Sequence, residues 1–280
     1  MSWQTYFTGK VVVLTGAAGG LGREMALRLS HTNPRALLLM DRDSQKLAAV
    51  GQQCRKNCQL VIDVCADVTR ADEIAQAYEK LTDALGHAEA EYIVVANAGV
   101  GALNPGYDFS AELDRRVFEI NYFGMLNTFT PFLPSMINQK AGHLVGVSSM
   151  AAFRGMPNGS SYSASKAAQK TLLESFRFDL EPRGIAVSCL HPGFLETPMA
   201  DHSEFDMPFK VPIEIAATKC LRAIADRRSS YSFPFPIIFL ARLQNYIPEF
   251  VSQLILRVAT RNVGPKKPMI LGSSKKYENL

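Results

Sequence analysis

Between residue 10 and about residue 200 the chain repeats one pattern: a strand-length apolar run, a turn, then a longer amphipathic segment. The runs are Val11–Leu14, Ala36–Met40, Leu60–Val64, Tyr92–Ala96, Leu144–Val147 and Ile185–Leu190. They are apolar at consecutive rather than alternate positions, as strands covered on both faces are. Between them lie Leu21–Leu29, Gln45–Gln53, Asp72–Leu85, Ala111–Asn138 and Ser163–Leu180, which read as helices. Helical crossovers make neighbouring strands parallel. The pattern therefore predicts an α/β fold, a doubly wound parallel sheet with helices on both faces. Residues 214–226 read as a further helix and Ser229–Pro236 as a proline-rich edge strand. The sequence contains no linker or low-complexity tract, so one domain is expected over 1–280.

Charge narrows the function. A formal +4 on 280 residues is too small to steer the chain onto nucleic acid. Of the five cysteines, Cys54 and Cys58 form a C-x3-C with no second pair at zinc spacing, so reduced thiols and no metal are expected, as in the cytoplasm. Trp3, Gln4, Thr5 and Tyr6 interrupt any leader-like apolar run. Nothing reaches the roughly 18 apolar residues of a spanning helix.

The first strand runs into Thr15-Gly16-Ala17-Ala18-Gly19-Gly20-Leu21-Gly22, after which a helix is expected. Glycines there permit a tight turn and close approach of backbone to a pyrophosphate, and the helix start offers free N–H groups. Asp41 ends the second strand, about twenty residues on, where an acid accepts ribose hydroxyls and repels a 2′-phosphate. NAD is therefore preferred. Arg42, next in sequence, keeps NADP open.

Tyr162 and Lys166 sit four apart in an expected helix and so share a face. A cation beside a phenol favours phenolate and suits it to acid–base work on an alcohol or carbonyl. Tyr6 and Lys10 have the same spacing ahead of the first strand, so spacing alone decides nothing. Context decides it. Ser149 follows the fifth strand, Asn97-Ala98-Gly99 the fourth, and His191-Pro192-Gly193 the sixth, with Thr197 four residues beyond that glycine. Asn121 lies in the long helix. All fall where open α/β sheets bind ligands.

With these motifs in their order, residues 8–200 resemble a short-chain dehydrogenase/reductase of the one-domain, Rossmann type. The resemblance rests on Thr15–Gly22, Asp67-Val68, Asn97-Ala98-Gly99, Ser149, Tyr162–Lys166 and Pro192-Gly193-x3-Thr197. It implies a catalytic tetrad of Asn121, Ser149, Tyr162 and Lys166. Tyr162 would act as acid and base, Ser149 would orient the substrate oxygen, and Lys166 would lower the tyrosine pKa and bind the nicotinamide ribose. Asn121 would position a water that relays protons. Asp67 and Val68 would meet the adenine, and Thr197 the nicotinamide end. Cofactor contacts are expected from Thr15, Gly16, Gly20, Leu21, Gly22, Asp41, Asp67, Val68, Asn97, Ala98, Gly99, Tyr162, Lys166, Pro192, Gly193 and Thr197. Alanine at position 96 replaces an asparagine that many members carry. The resemblance also suggests a homodimer or homotetramer, paired through the long helices.

Met150, Phe153, Met156, Tyr107, Phe109, Phe194, Leu195, Met199, Phe205, Met207 and Phe209 surround the expected substrate position, and residues 194–215 read as a lid. Such a lining suits a hydrophobic alcohol or ketone. Asp201, His202, Glu204 and Asp206 read as the lid's solvated face. Residues 237–280 read as a helical C-terminal extension. Its apolar stripe from Phe239 to Val258 is interrupted by Pro248, as in a helical hairpin, and its end is basic. It either packs on the domain or a second subunit, or docks peripherally on an anionic membrane. The leading expectation is an NAD(H)-dependent oxidoreductase. An NADPH-dependent carbonyl or 3-oxoacyl reductase is the nearest alternative. A non-catalytic dinucleotide sensor or lipid-surface binding protein is the alternative from another class.

Overall fold

Parallel pairing orders the central sheet as β3 (Val61–Cys65), β2 (Ala36–Asp41), β1 (Val11–Thr15), β4 (Tyr92–Ala96), β6 (Gly142–Val147), β7 (Ile185–Pro192) and β8 (Ser230–Phe233). The chain steps outward from β1 to β3, then restarts at β4 on the other side of β1. Connections leave this switch point in opposite directions, so a crevice opens over the C-terminal ends of β1 and β4. The structure is a computed structural model and describes residues 2–196, 210–234 and 267–271. Thr197, the lid residues 197–209, the stripe from Phe239 to Val258 and most of the basic end lie outside the described residues.

Successive strand residues face opposite sides of the sheet. Val12 and Leu14 point to one layer, built by α1 (Gly20–Ser30), α2 (Ser44–Cys54) and α8 (Ile213–Ala225). Val11 and Val13 point to the other, where α3 (Ala71–Ala84), α5 (Gly124–Phe129) and α7 (Ser160–Leu180) pack. In α1 the buried Leu21, Met25 and Leu29 recur every four residues, one apolar stripe against the sheet. Full burial of a side chain such as Leu29 contributes about 1.5–3 kcal/mol, which outweighs the weak intrinsic preference of so short a helix.

The doubly wound α/β sheet is as expected, but the expected helix over 111–138 is not continuous. It divides into α4 (Ala111–Phe118), a π-helical turn at Glu119–Phe123, α5, and α6 (Leu133–Gln139). Pro131 lies in the break between α5 and α6, where it has no N–H to continue the ladder. The π turn carries Asn121, whose side chain is pinned across the molecule, as described below. α7 starts at Ser160, three residues earlier than its apolar pattern indicates.

Two strands stand apart from the main sheet. β5 (Gly101–Leu103) pairs antiparallel with β9 (Met269–Leu271), in the register Gly101 with Leu271 and Leu103 with Met269. This part of the C-terminal extension was expected to be helical and instead runs extended. Pairing with β5 satisfies its backbone. Among the described residues, no helix is long and apolar enough to cross a membrane.

Candidate active site

At the end of β1 the chain turns through Gly16 and Gly20, with φ of +67° and +52°, the left-handed region that favours glycine. α1 opens with Gly19 as N-cap and no capping side chain, so its first amides stay open to an acceptor. A Cβ on Gly22 would stand 2.0 Å from the Gly16 carbonyl oxygen, so only glycine lets the helix come this close to the loop. A Cβ on Gly19 would meet nothing within 4 Å, so the helix end faces open space. Leu21 turns inward to the core.

Thr15 and Asn97 lie beneath this loop. The buried Thr15 hydroxyl accepts the N–H groups of Asn97 and Ala98, each at 3.1 Å. Asn97 Nδ2 donates to the carbonyls of Thr15 and Gly16, at 3.0 and 3.3 Å. These side chains sew β4 to the glycine turn and fix the crevice floor.

Gly16, Asp41, Arg42, Ala66, Asp67, Val68, Ala98, Gly99, Val100 and Ile120 line a cleft of about 540 Å³, part of it open to solvent. Both Asp41 oxygens are oriented by backbone: Oδ2 accepts Ala18 N–H and Oδ1 accepts Asp43 N–H, each at 3.0 Å. The acid is thus tied to the glycine loop as well as to β2. Asp67 Oδ1 accepts both the N–H and the hydroxyl of Thr69, a turn that sets Val68 against the cleft. Open amides at a helix start, a fixed carboxylate at a strand end and an apolar wall of Val68 and Ile120 fit the pyrophosphate, ribose and base of a dinucleotide. Pro192 and Gly193 end β7, where Gly193 N–H donates to Phe233 O at 2.7 Å.

Beyond Gly99 the polar residues gather. A Cβ on Gly99 would stand 3.1 Å from Asn121 Oδ1 and 3.4 Å from Lys166 Nζ, so both groups reach one side of the cleft wall. Ser149 caps the short turn after β6 by accepting Ala151 N–H, and it hydrogen-bonds the Tyr162 phenol. The Lys166 ammonium donates to Val147 O at 3.0 Å and lies 5.8 Å from the centre of the Tyr162 ring. Burial raises the phenol's pKa above 10, and the Ser149 hydrogen bond works against it. The expected downward pull from Lys166 does not set the phenol's acidity in this structure. Its ammonium is held by a strand carbonyl, and loss of hydration draws it down to about 8.

The Asn121 side chain is also fully engaged. Its Oδ1 accepts Val100 N–H at 2.8 Å, and its Nδ2 donates to Val100 O at 3.1 Å and to Ser165 Oγ at 3.0 Å. The side chain is a clamp on the cleft wall, which leaves the main-chain carbonyl as the atom able to face a water. That carbonyl accepts Gln169 Nε2 at 2.5 Å.

The site residues not anticipated are Ser165, Gln169 and Asn104. Asn104 is fully buried. Its amide donates to Ser110 O and Ser161 Oγ, its Oδ1 accepts Ser110 N–H, and Ser160 Oγ donates to its carbonyl. It thereby fastens the loop after β5 to the first turn of α7, beside Tyr162. A polar residue amid a substrate loop carries no periodic signal. Ser165 and Gln169, spaced i and i+4 on α7, were the legible hint.

Residues 10–207 match the family model described as short chain dehydrogenase. An "uncharacterized oxidoreductase" of Myxococcus xanthus is 34% identical over 239 residues, covering 85% of this chain and 93% of that one. A short chain dehydrogenase/reductase from Burkholderia phymatum, solved in complex with NAD, superposes with a TM-score of 0.76 at 26% identity, over 94% of this chain and 99% of its own. A short chain dehydrogenase from Burkholderia cenocepacia, solved with NADP, gives 0.74 at 25% identity, over 92% and 99%.

Proposed function

The chain belongs to the short-chain dehydrogenase/reductase family and is an oxidoreductase. From that premise we propose that it interconverts a hydroxyl and a carbonyl group on an apolar substrate, using NAD(H). A bound nicotinamide supplies the hydride acceptor or donor. The chain's residues do the rest. In the reducing direction, Tyr162 passes its hydroxyl proton to the substrate oxygen as the neighbouring carbon gains hydride. Ser149 donates a hydrogen bond to that oxygen. Lys166 supplies positive charge under the developing phenolate, and Asn121 holds the Val100 wall against which the reacting ring would lie.

The observation that carries this reading is the contact between Ser149 and Tyr162 beside the Lys166 ammonium, which reaches Gly99 in the wall of a cleft also lined by Gly16 and Asp41. The Asp41 carboxylate favours NAD, because a 2′-phosphate there would meet fixed negative charge. Arg42 also lines the cleft and supports the second reading, an NADPH-linked carbonyl or 3-oxoacyl reductase. An apolar substrate suits Met150, Phe153 and Met156 on the catalytic side, with Tyr107 and Phe109 exposed nearby. Phe178 on α7 is 81% exposed, which supports pairing of two copies through that helix.

Thermal shift with NADH against NADPH tests the cofactor, and a panel of hydrophobic ketones and alcohols tests the chemistry. NADH is expected to stabilise more strongly. Tyr162→Phe is expected to keep cofactor binding while turnover falls about 10²–10⁴-fold. Turnover within tenfold of the parent would remove Tyr162 as acid and base.

A further inference from the structure

Tyr162 is the third residue of α7, so the proposed acid and base stands in the helix's first turn. First-turn amides have no intrahelical partners, and helix ends open more readily than their middles. The N-cap is Gly159, which has no side chain to cap them, and the first bond across the turn runs from Ser163 N–H to Gly159 O at 2.9 Å. A phenol that must hold Ser149 and a reacting oxygen tolerates little fraying, since a misplacement of about 1 Å costs about 10²-fold in rate. The restraint comes from outside the helix. Ser160 Oγ donates to Asn104 O at 2.5 Å, and Asn104 Nδ2 donates to Ser161 Oγ at 2.8 Å. Ser163 Oγ accepts Met156 N–H at 3.1 Å. Both residues that precede Tyr162 in the helix are thus tied to Asn104. That residue is 0% exposed, and its own N–H donates to Asn158 O at 2.7 Å. Its amide also closes the neck of the loop Pro105–Phe109, where Oδ1 accepts Ser110 N–H and Nδ2 donates to Ser110 O, each at 2.8 Å. Every polar group of Asn104 is therefore matched, and shifting any of the three segments it joins would leave a buried group without its partner.

We propose that Asn104 is a positioning residue of the reaction: it braces the uncapped first turn of α7, and so holds Tyr162 on Ser149 in register with the loop Pro105–Phe109. Asn104 acts through Ser160 and Ser161, two buried contacts away from the chemistry, and is not itself catalytic. The brace does the work of the missing cap and adds a link that a cap would not, because the same amide sets the neck of a loop on the substrate side. The inference deepens the acid–base reading of Tyr162 and rests on it.

Two variants of the full chain test it. Ser161→Ala removes one tie and leaves the loop neck closed, whereas Asn104→Leu keeps the size and removes the side-chain bonds to Ser161 and Ser110. Amide hydrogen exchange without cofactor is read first. Exchange at Ser163–Lys166 is expected to quicken about tenfold in both variants while Gln169–Leu173, in the middle of α7, keeps its protection. Parent rates in the first turn would overturn the proposal. Turnover of a hydrophobic ketone is read second, as kcat per NADH-binding site in light and heavy water. Ser161→Ala is expected to lower that kcat about threefold and Asn104→Leu about tenfold, each with a larger solvent isotope effect, because proton transfer from a looser Tyr162 becomes the slower step. NADH affinity should stay within about twofold of the parent, since neither residue lines the dinucleotide cleft. A merely structural Asn104 would change the number of working sites and leave the rate per site and its isotope effect at parent values, which also overturns the proposal. Should Asn104→Leu fail to fold, Ser161→Ala decides both measurements alone. Retained turnover in Tyr162→Phe would sink the acid–base reading, and this role with it, whatever the exchange rates show.

Discussion

At Lys166 the fold holds a charge at 4% exposure, with burial drawing the ammonium's pKa from 10.5 to about 8. Between those two values the unfolded chain binds the proton more tightly than the folded one, so stability rises with pH through that window. Below pH 8 the full penalty applies. Lys166→Met should therefore stabilise the protein at pH 7, by about 1–3 kcal/mol after allowing for the Val147 carbonyl it leaves behind. The advantage should fade as pH climbs from 8 toward 10.5, while turnover is lost. Urea melts at pH 7 and pH 10 check it; a Lys166→Met protein less stable than the parent at both would show that the ammonium stabilises the fold. The identity of this residue was legible from Tyr162-x3-Lys166, because i and i+4 share a helix face. What the ammonium touches was not. The Val147 carbonyl becomes its neighbour only when β6 and α7 pack, and no local pattern encodes that.

Elements at the opposite edge of the sheet are joined by a buried polar chain. Ser188 Oγ donates to Arg228 O at 2.7 Å and therefore accepts from His143 Nε2–H at 2.8 Å. That tautomer leaves His143 Nδ1 to accept the Tyr6 hydroxyl at 2.9 Å. The N-terminal turn, β6, β7 and the α8–β8 connection are thus linked through one neutral imidazole. Lys10 Nζ lies 4.3 Å from the centre of the Tyr6 ring, a look-alike of Tyr162 and Lys166 whose phenol is instead bonded to His143. Burial lowers the His143 pKa to about 3, with Arg227 and Lys10 adding to the effect. From the unfolded value near 6.5 downward, the unfolded chain binds the extra proton, so stability should fall as pH drops, by about 2 kcal/mol between pH 6.5 and pH 5. His143→Leu should be less stable at pH 7, because Tyr6 and Ser188 lose their partner, and should show a shallower acid slope. Urea midpoints at pH 5, 6 and 7 measure both; parallel slopes in parent and variant would rule out His143 as the titrating group. Among the elements, the strands and most helices were legible because burial on both sheet faces writes itself as apolar runs. The π turn was not, since what fixes it is the Asn121 bond to Val100, twenty-one residues upstream.

Across the whole molecule, Met269–Leu271 of the C-terminal extension pair with β5, the strand that follows the cleft residue Val100. β9 lies more than 160 residues beyond β5 in sequence, and its three residues are too few to announce a strand, so their pairing was not foreseeable from pattern. The position of β5 gives that pairing its consequence. β5 begins one residue after Val100, which Asn121 clamps, and ends one residue before Asn104, which is bolted to Ser161 at the start of α7. The segment between the two anchors is part of the expected substrate frame, and β9 is what covers its open edge. Ile270 opposes Ala102 at the centre of the pair. Ile270→Pro removes an N–H and restricts the backbone, which interrupts the pair without altering any residue that lines the dinucleotide cleft. The expected result is a rise in KM for a turned-over hydrophobic substrate by about tenfold, the equivalent of one lost hydrogen bond of about 1.4 kcal/mol, with NADH affinity unchanged. Steady-state kinetics beside an NADH fluorescence titration separates the two. If KM stays at the parent value, β9 only shields an edge. If NADH affinity falls with it, the strain has passed through Val100 into the cleft wall, and the two anchors do not isolate β5 from the cofactor side.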